Sequence, residues 1–282
     1  MTILEAIERA KRLRQERSQQ ANRVPAGSES PVVVRRKAIE IKSHPVARLE
    51  FETVNIDPDV LEKNRVLMLR AQGHAYSAVL DSYRILRTRI WHRGVGTERW
   101  SSLGMVSAGP GEGKTLTALN LSLAFAREKK SNVFLLDLDL RNPSVCRYLG
   151  VAPRVGIGSA LSGEAKPADV FFSIGVENLF LAGGVTSYEN SSEMLGGEGL
   201  ADLLAYINII DPHALILVDL PPLLISADAL VIAPKLSAVL LVVAEGVTRR
   251  DQLDRAIEVL SGSTVAGIVL NRSRESVEDY YG

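Results

Sequence analysis

Apolar residues recur in two rhythms along this chain, and the change falls near residue 101. Ahead of it the helical period dominates. Ile3, Leu4, Ile7, Ala10 and Leu13 share one face, which predicts a helix over 2–18. Residues 19–33 are rich in Gln, Ser, Pro and Gly and read as a linker. A second helix is expected at 56–70, with Asp57 as its cap and Pro58 at its first position. A stronger one is expected at 75–92, carrying Val79, Tyr83, Leu86 and Ile90 on one side.

After residue 101 short apolar runs take over, at 103–107, 132–138, 178–182, 214–220, 238–244 and 265–271. They are rich in Val, Leu and Ile, as suits strands buried on both faces. Helical segments such as 114–129 and 248–260 lie between them. This alternation predicts an α/β fold: a mostly parallel sheet flanked by helices, with right-handed crossovers. The expected division is a helical, partly flexible extension at 1–50 and one α/β domain at 51–282.

Composition adds little that is specific. The net charge is zero, with the basic excess in the first hundred residues and the acidic excess after them. No basic–aromatic patch points to nucleic acid. One cysteine, Cys146, excludes an internal disulfide and reads as a small buried residue in a reducing compartment. The opening MTILEAIERAKRLR is too charged for a secretory signal. No apolar run approaches the roughly 18 residues that span a bilayer.

The chemistry concentrates at three strand ends. AGPGEGKT at 108–115 follows one strand and opens a helix, which is the context a phosphate-binding loop requires. Its glycines let backbone N–H groups turn inward, and the helix directs its positive end at an anion. The expected cradle is Gly109, Pro110, Gly111, Glu112, Gly113, Lys114, Thr115 and Leu116, as in P-loop NTPases binding ATP. Lys114 would reach the β and γ oxygens, and Thr115 would hold magnesium. The next strand ends in Asp137 and Asp139, with Arg141 after them. On an extended strand, side chains two residues apart leave the same face, so both carboxylates should approach the phosphates. Either can be a base, a metal ligand or a water orienter, and the alternative for Asp139 is a helix cap. A later strand ends in Asp219, the usual second anchor for magnesium, with Pro221 and Pro222 fixing the loop beside it. Asp228 reads as a helix cap. Asn271 either meets an adenine edge or closes the last strand.

With AGPGEGKT, LLDLDLRNP and LVDLPPLL in that order, the sequence resembles the bacterial tyrosine kinases of capsule and exopolysaccharide systems over residues 75–282. ENSSEML at 189–195 and GIVLN at 267–271 strengthen the match. Related partitioning and division-site ATPases usually carry a lysine where this chain has Gly109. The resemblance implies transfer of the ATP γ-phosphate to tail tyrosines, in trans within a ring. Tyr280 and Tyr281 are the matching acceptors. It implies that Lys114, Asp137 and Asp139 carry the catalysis, with Asp137 favoured as base. Magnesium would be held by Thr115, Asp137 and Asp219. Asp81, Arg84 and Arg87 match an oligomerisation motif. A separate membrane-embedded polysaccharide co-polymerase would activate the chain at the inner face of the membrane, and a tyrosine phosphatase would reverse its phosphorylation. The competing expectation is a regulatory ATPase switch of the same system, without protein kinase activity.

Overall fold

The computed structural model describes residues 46–67, 74–94 and 100–273, and among them eight strands form one sheet. The helix expected at 2–18, the linker at 19–33 and the tail tyrosines Tyr280 and Tyr281 lie outside the described residues. In chain order the elements are β1 (Glu52–Thr53), α1 (Pro58–Lys63), α2 (His74–Gly94), β2 (Ser102–Ser107), α3 (Lys114–Ala126), β3 (Val133–Asp137), α4 (Val145–Leu149), α5 (Ile157–Leu161), β4 (Phe172–Ser173) and β5 (Leu179–Ala182). Then come α6 (Ser191–Gly196), α7 (Glu198–Ile210), β6 (Leu215–Asp219), α8 (Ala227–Ile232), β7 (Ala238–Ala244), α9 (Arg250–Val259) and β8 (Val265–Asn271). All six expected apolar runs are strands.

The strand order is β1-β4-β5-β3-β6-β2-β7-β8. Every pairing is parallel except β4 with β5, which is antiparallel. β1 and β4 have two residues each, too short for an apolar pattern to register. β3, β5 and β7 are buried along their whole length, as helices on both faces demand. All of α3 but Leu116 is buried, because the sheet lies under it and α2 packs over it.

Two helix expectations need correction. The helix expected to run to residue 70 stops at Lys63, although Asp57 does cap it, accepting from the Asp59 N–H at 2.9 Å. Arg65 takes a left-handed conformation, φ 59°, which ends the helix. The backbone beyond is bonded to the core instead. The Leu67 N–H donates to Asn120 at 2.8 Å, and Asn120 and Arg127 donate to the carbonyls of Arg65 and Leu67. In α2, Ile90 is buried and Tyr83 and Leu86 pack on the core, but Val79 is exposed. The apolar stripe therefore covers only the C-terminal part of the helix. Among the described residues, no helix is long and apolar enough to cross a membrane.

The topology places the chemistry. β2 lies between β6 and β7, and β3 lies on the far side of β6. Asp137 and Asp219 are direct partners in the β3–β6 register, and Met105 partners Asp219 in the β2–β6 register. Three carboxyl ends thus meet beside the loop that opens α3, where open α/β sheets place their ligands.

Candidate active site

The loop between β2 and α3 is fastened from outside. Glu112, 2% exposed, turns its carboxylate back onto the loop and accepts from the Gly109 N–H at 3.0 Å. Its other oxygen takes the Thr248 hydroxyl, which itself accepts from the Ala244 N–H at the end of β7. Asn271 donates to the Glu112 carbonyl at 2.9 Å, and Arg272 to the Gly111 carbonyl at 2.7 Å. With these groups bound outward, the loop's inner side is left to its N–H groups. Gly113 has φ 94°, and a Cβ there would sit 2.0 Å from the Asn271 amide nitrogen, so the position admits only glycine. The first turn of α3 adds N–H groups that no helix can satisfy internally. Leu223 and Leu224, just past Pro221 and Pro222, donate to the carbonyls of Ser107 and Ala108 and hold the loop's entry.

Lys114 is the hub. Its ammonium lies 2.7 Å from Asp139 Oδ2 and 3.7 Å from Asp219 Oδ1. Burial pushes its pKa down, but the charges of Asp219, Asp139 and Asp137 outweigh that and leave it above the ordinary lysine value. The ammonium is thus charged and held at the mouth of the anion cradle.

The two aspartates after β3 have different partners. The strand ends at Asp137, so Asp139 lies past it and reaches Lys114 from the following turn. Asp139 does not cap a helix; Asp137 does. Asp137 Oδ2 accepts from the N–H groups of Ser144 and Val145 at 2.8 and 2.9 Å, at the start of α4, and Oδ1 accepts from the Asp139 N–H at 3.3 Å. Asp137 is fully buried. Burial and the neighbouring Asp219 push its carboxyl up to about 7, against the backbone bonds and Lys114. Asp219 is also raised, by burial, against Lys114 and the Thr115 hydroxyl.

A magnesium ion fits the donors that remain. Thr115 Oγ1 donates to Asp219 Oδ2 at 2.5 Å, and Asp219 Oδ1 is buried without a hydrogen-bond partner. An orphaned carboxylate oxygen beside a hydroxyl is an oxygen-rich place for a hard cation, and a cation would offset the burial cost on both aspartates. Both Asp137 oxygens accept from backbone N–H groups.

Comparison with known proteins gives the family. The tyrosine-protein kinase YwqD of Bacillus subtilis is 30% identical over 204 residues, covering 72% of this chain and 84% of YwqD. The chain belongs to the bacterial tyrosine kinases. The succinoglycan biosynthesis transport protein ExoP of Rhizobium meliloti is 32% identical over 178 residues, 61% of this chain but 22% of ExoP. The kinase domain of the Escherichia coli tyrosine kinase ETK superposes with a TM-score of 0.63 at 22% identity, covering 80% of this chain and 92% of that one, and supports the fold. No protein-family model matches the chain.

Several features of this kinase were not legible, or were misread. Asp228 does not cap α8; Ser226 does, accepting from the Asp228 N–H at 3.2 Å. Asp228 is instead a buried anchor that takes the hydroxyls of Ser191 and Ser192. Arg141 donates to Ser191 at 2.9 Å and Ser191 donates to Asp228, so the segment ENSSEML and the aspartate-rich turn are joined through the Ser191 hydroxyl. Asn271 has its amide on the Glu112 carbonyl, so its observed task is to brace the loop. Thr248 carries no sequence signal for its place beside the loop, whereas Ser144, just before a helix, carries a recognisable one. Cys146 is a buried residue, as expected, its thiol pushed up to about 12 by burial.

The three helix residues expected to pair subunits are partly spent within the chain. Arg87 donates to the Ala124 carbonyl at 2.8 Å and pairs with Glu128 at 2.7 Å, closing the C-terminal end of α3. Asp81 and Arg84 pair with each other at 2.8 Å and are exposed.

Proposed function

We propose that this tyrosine kinase transfers the ATP γ-phosphate to Tyr280 and Tyr281 of a neighbouring copy and thereby regulates the polymerisation and export of an exopolysaccharide. The observation that carries the reading is Lys114 held between Asp139 and Asp219 at the mouth of the phosphate loop. In the reaction Lys114 shifts from these carboxylates to the β and γ oxygens, joining the loop amides and the α3 N-terminus in stabilising the charge on the transferring group. That shift frees Asp139 to accept the tyrosine proton. Asp139 suits the task better than Asp137, whose oxygens are committed to the backbone. Thr115 and Asp219 would hold magnesium, which supplies positive charge to the phosphates and fixes their orientation. The protein's contribution is positioning and electrostatics.

Residues 51–282 form the kinase domain in this reading, and residues 1–50 an accessory extension. ExoP supports the polysaccharide assignment by its name. The activator in this reading is a membrane-embedded polysaccharide co-polymerase. The kinase would assemble as a homo-oligomeric ring through Asp81 and Arg84, work at the inner face of the membrane, and be reset by a tyrosine phosphatase.

Incubation with labelled ATP and magnesium, followed by phosphoamino-acid analysis, tests this. Parent protein should accumulate phosphotyrosine, Lys114→Met should lose it, and the Tyr280→Phe/Tyr281→Phe double variant should lose it while still binding ATP. Signal retained in the double variant would refute the tail assignment. ATP turnover without phosphotyrosine in the parent would assign a regulatory ATPase switch instead.

A further inference from the structure

Ser144 is placed between the two halves of the site, and its hydroxyl has an unusual employment. It stands at the N-cap of α4, where a serine side chain ordinarily accepts from the helix's own N–H groups. Here the cap is supplied by Asp137, and the Ser144 hydroxyl makes no cap bond. It lies instead 2.9 Å from Thr115 Oγ1. Both residues are about 5% exposed, so the contact is sheltered from water.

The hydrogens settle the direction. A threonine hydroxyl has one hydrogen and two lone pairs. The Thr115 hydrogen is spent on Asp219 Oδ2. Ser144 must therefore donate, and it occupies one of the two lone pairs on Thr115. One lone pair is left. Meanwhile the Ser144 N–H donates to Asp137 Oδ2 at 2.8 Å. A single residue thus binds Asp137 with its backbone and Thr115 with its side chain, while Thr115 binds Asp219, whose second oxygen has no hydrogen-bond partner.

We propose that Ser144 is a positioning residue for magnesium: by donating to Thr115 it fixes which lone pair stays open to the cation and stops the hydroxyl from rotating away. This rests on Thr115 and Asp219 being the metal ligands. A group in this outer position typically alters metal affinity about 10–100-fold when removed, without touching the metal itself.

The test is the binding of a fluorescent ADP analogue, followed by anisotropy as magnesium is titrated, and repeated in EDTA. Ser144→Ala keeps the backbone bond to Asp137, so the fold should persist. It should raise the magnesium concentration at half-maximal tightening about 10-fold while leaving affinity in EDTA unchanged. Ser144→Thr, which restores the hydroxyl, should return the parental midpoint. A parental midpoint in Ser144→Ala, or an equal loss of affinity with and without magnesium, would overturn the proposal. Thr115→Val serves as the control. It should abolish magnesium-dependent tightening; if tightening persists there, the metal assignment fails and the role of Ser144 with it. Loss in Thr115→Val beside a parental midpoint in Ser144→Ala removes Ser144 alone.

Discussion

Replacing Asp137 by Asn should stabilise the folded chain at pH 8 far more than at pH 5. The carboxyl is buried beside Asp219 and pushed from 3.8 up to about 7. The folded chain therefore keeps this proton to about neutrality, whereas the unfolded chain loses it near pH 4. Between those values unfolding releases a proton, so the parent loses stability as pH rises through the window, at about 1.4 kcal/mol per pH unit. Above about 7 both states are ionised and the penalty levels off near 4 kcal/mol. Asn carries no charge at any pH and escapes that penalty. It offers one acceptor oxygen where Asp137 has two, and losing the longer bond to the Asp139 N–H costs about 1 kcal/mol. This cost is nearly independent of pH. The advantage of Asp137→Asn should thus grow by about 2–3 kcal/mol from pH 5 to pH 8. Urea unfolding in EDTA at both pH values measures it; distant titrating groups cancel in the difference between variant and parent, while Asp219, coupled to Asp137, shifts with the substitution. A stability difference that stays constant between the two pH values would refute the argument, because it would mean Asp137 is already ionised at pH 5. The same variant should lose kinase activity, since the strain it relieves belongs to the site.

The other expectations come from single contacts. Gly113→Ala places a methyl group 2.0 Å from the Asn271 amide at φ 94°; it should cost about 2 kcal/mol or more and abolish nucleotide binding, read by thermal unfolding and calorimetry. Asp228→Ala strands the hydroxyls of Ser191 and Ser192 and removes the charge 3.8 Å from Arg141; a loss of about 3 kcal/mol should appear in denaturant unfolding. Arg87→Ala removes the bonds to Ala124 and Glu128 and should cost about 1–2 kcal/mol at concentrations where the chain is monomeric. A change in assembly with unchanged monomer stability would return Arg87 to the subunit interface.

How much of this was readable in advance depends on where each signal lives. The inner strands were legible because a strand buried on both faces has to be continuously apolar, and β3, β6 and β7 are. The phosphate loop was legible because its geometry is local: Gly113 must be glycine and Lys114 must follow it. β1 and β4 were not, because two residues carry no period. The helix expected over 56–70 ends early because Asn120 and Arg127, distant in sequence, take the carbonyls of Arg65 and Leu67.

The aspartates show the deeper limit. The spacing of Asp137 and Asp139 brings both to the site, and nothing in that spacing says which one the backbone will claim. The choice is made by chain direction after β3. The turn that places Ser144 and Val145 above the strand end directs two N–H groups at Asp137, so Asp137 becomes the floor of the site. Asp139, one turn further out, is left for Lys114. Arg87 follows the same logic: its spacing from Asp81 and Arg84 suggests a row of charges for a neighbour, but the end of α3 passes beneath it with open carbonyls and takes it. In both cases a helix end with unsatisfied backbone groups decides which charged residue becomes structural. The residues it leaves over, Asp139 at the loop and Asp81 with Arg84 on the surface, are the ones available for chemistry and assembly.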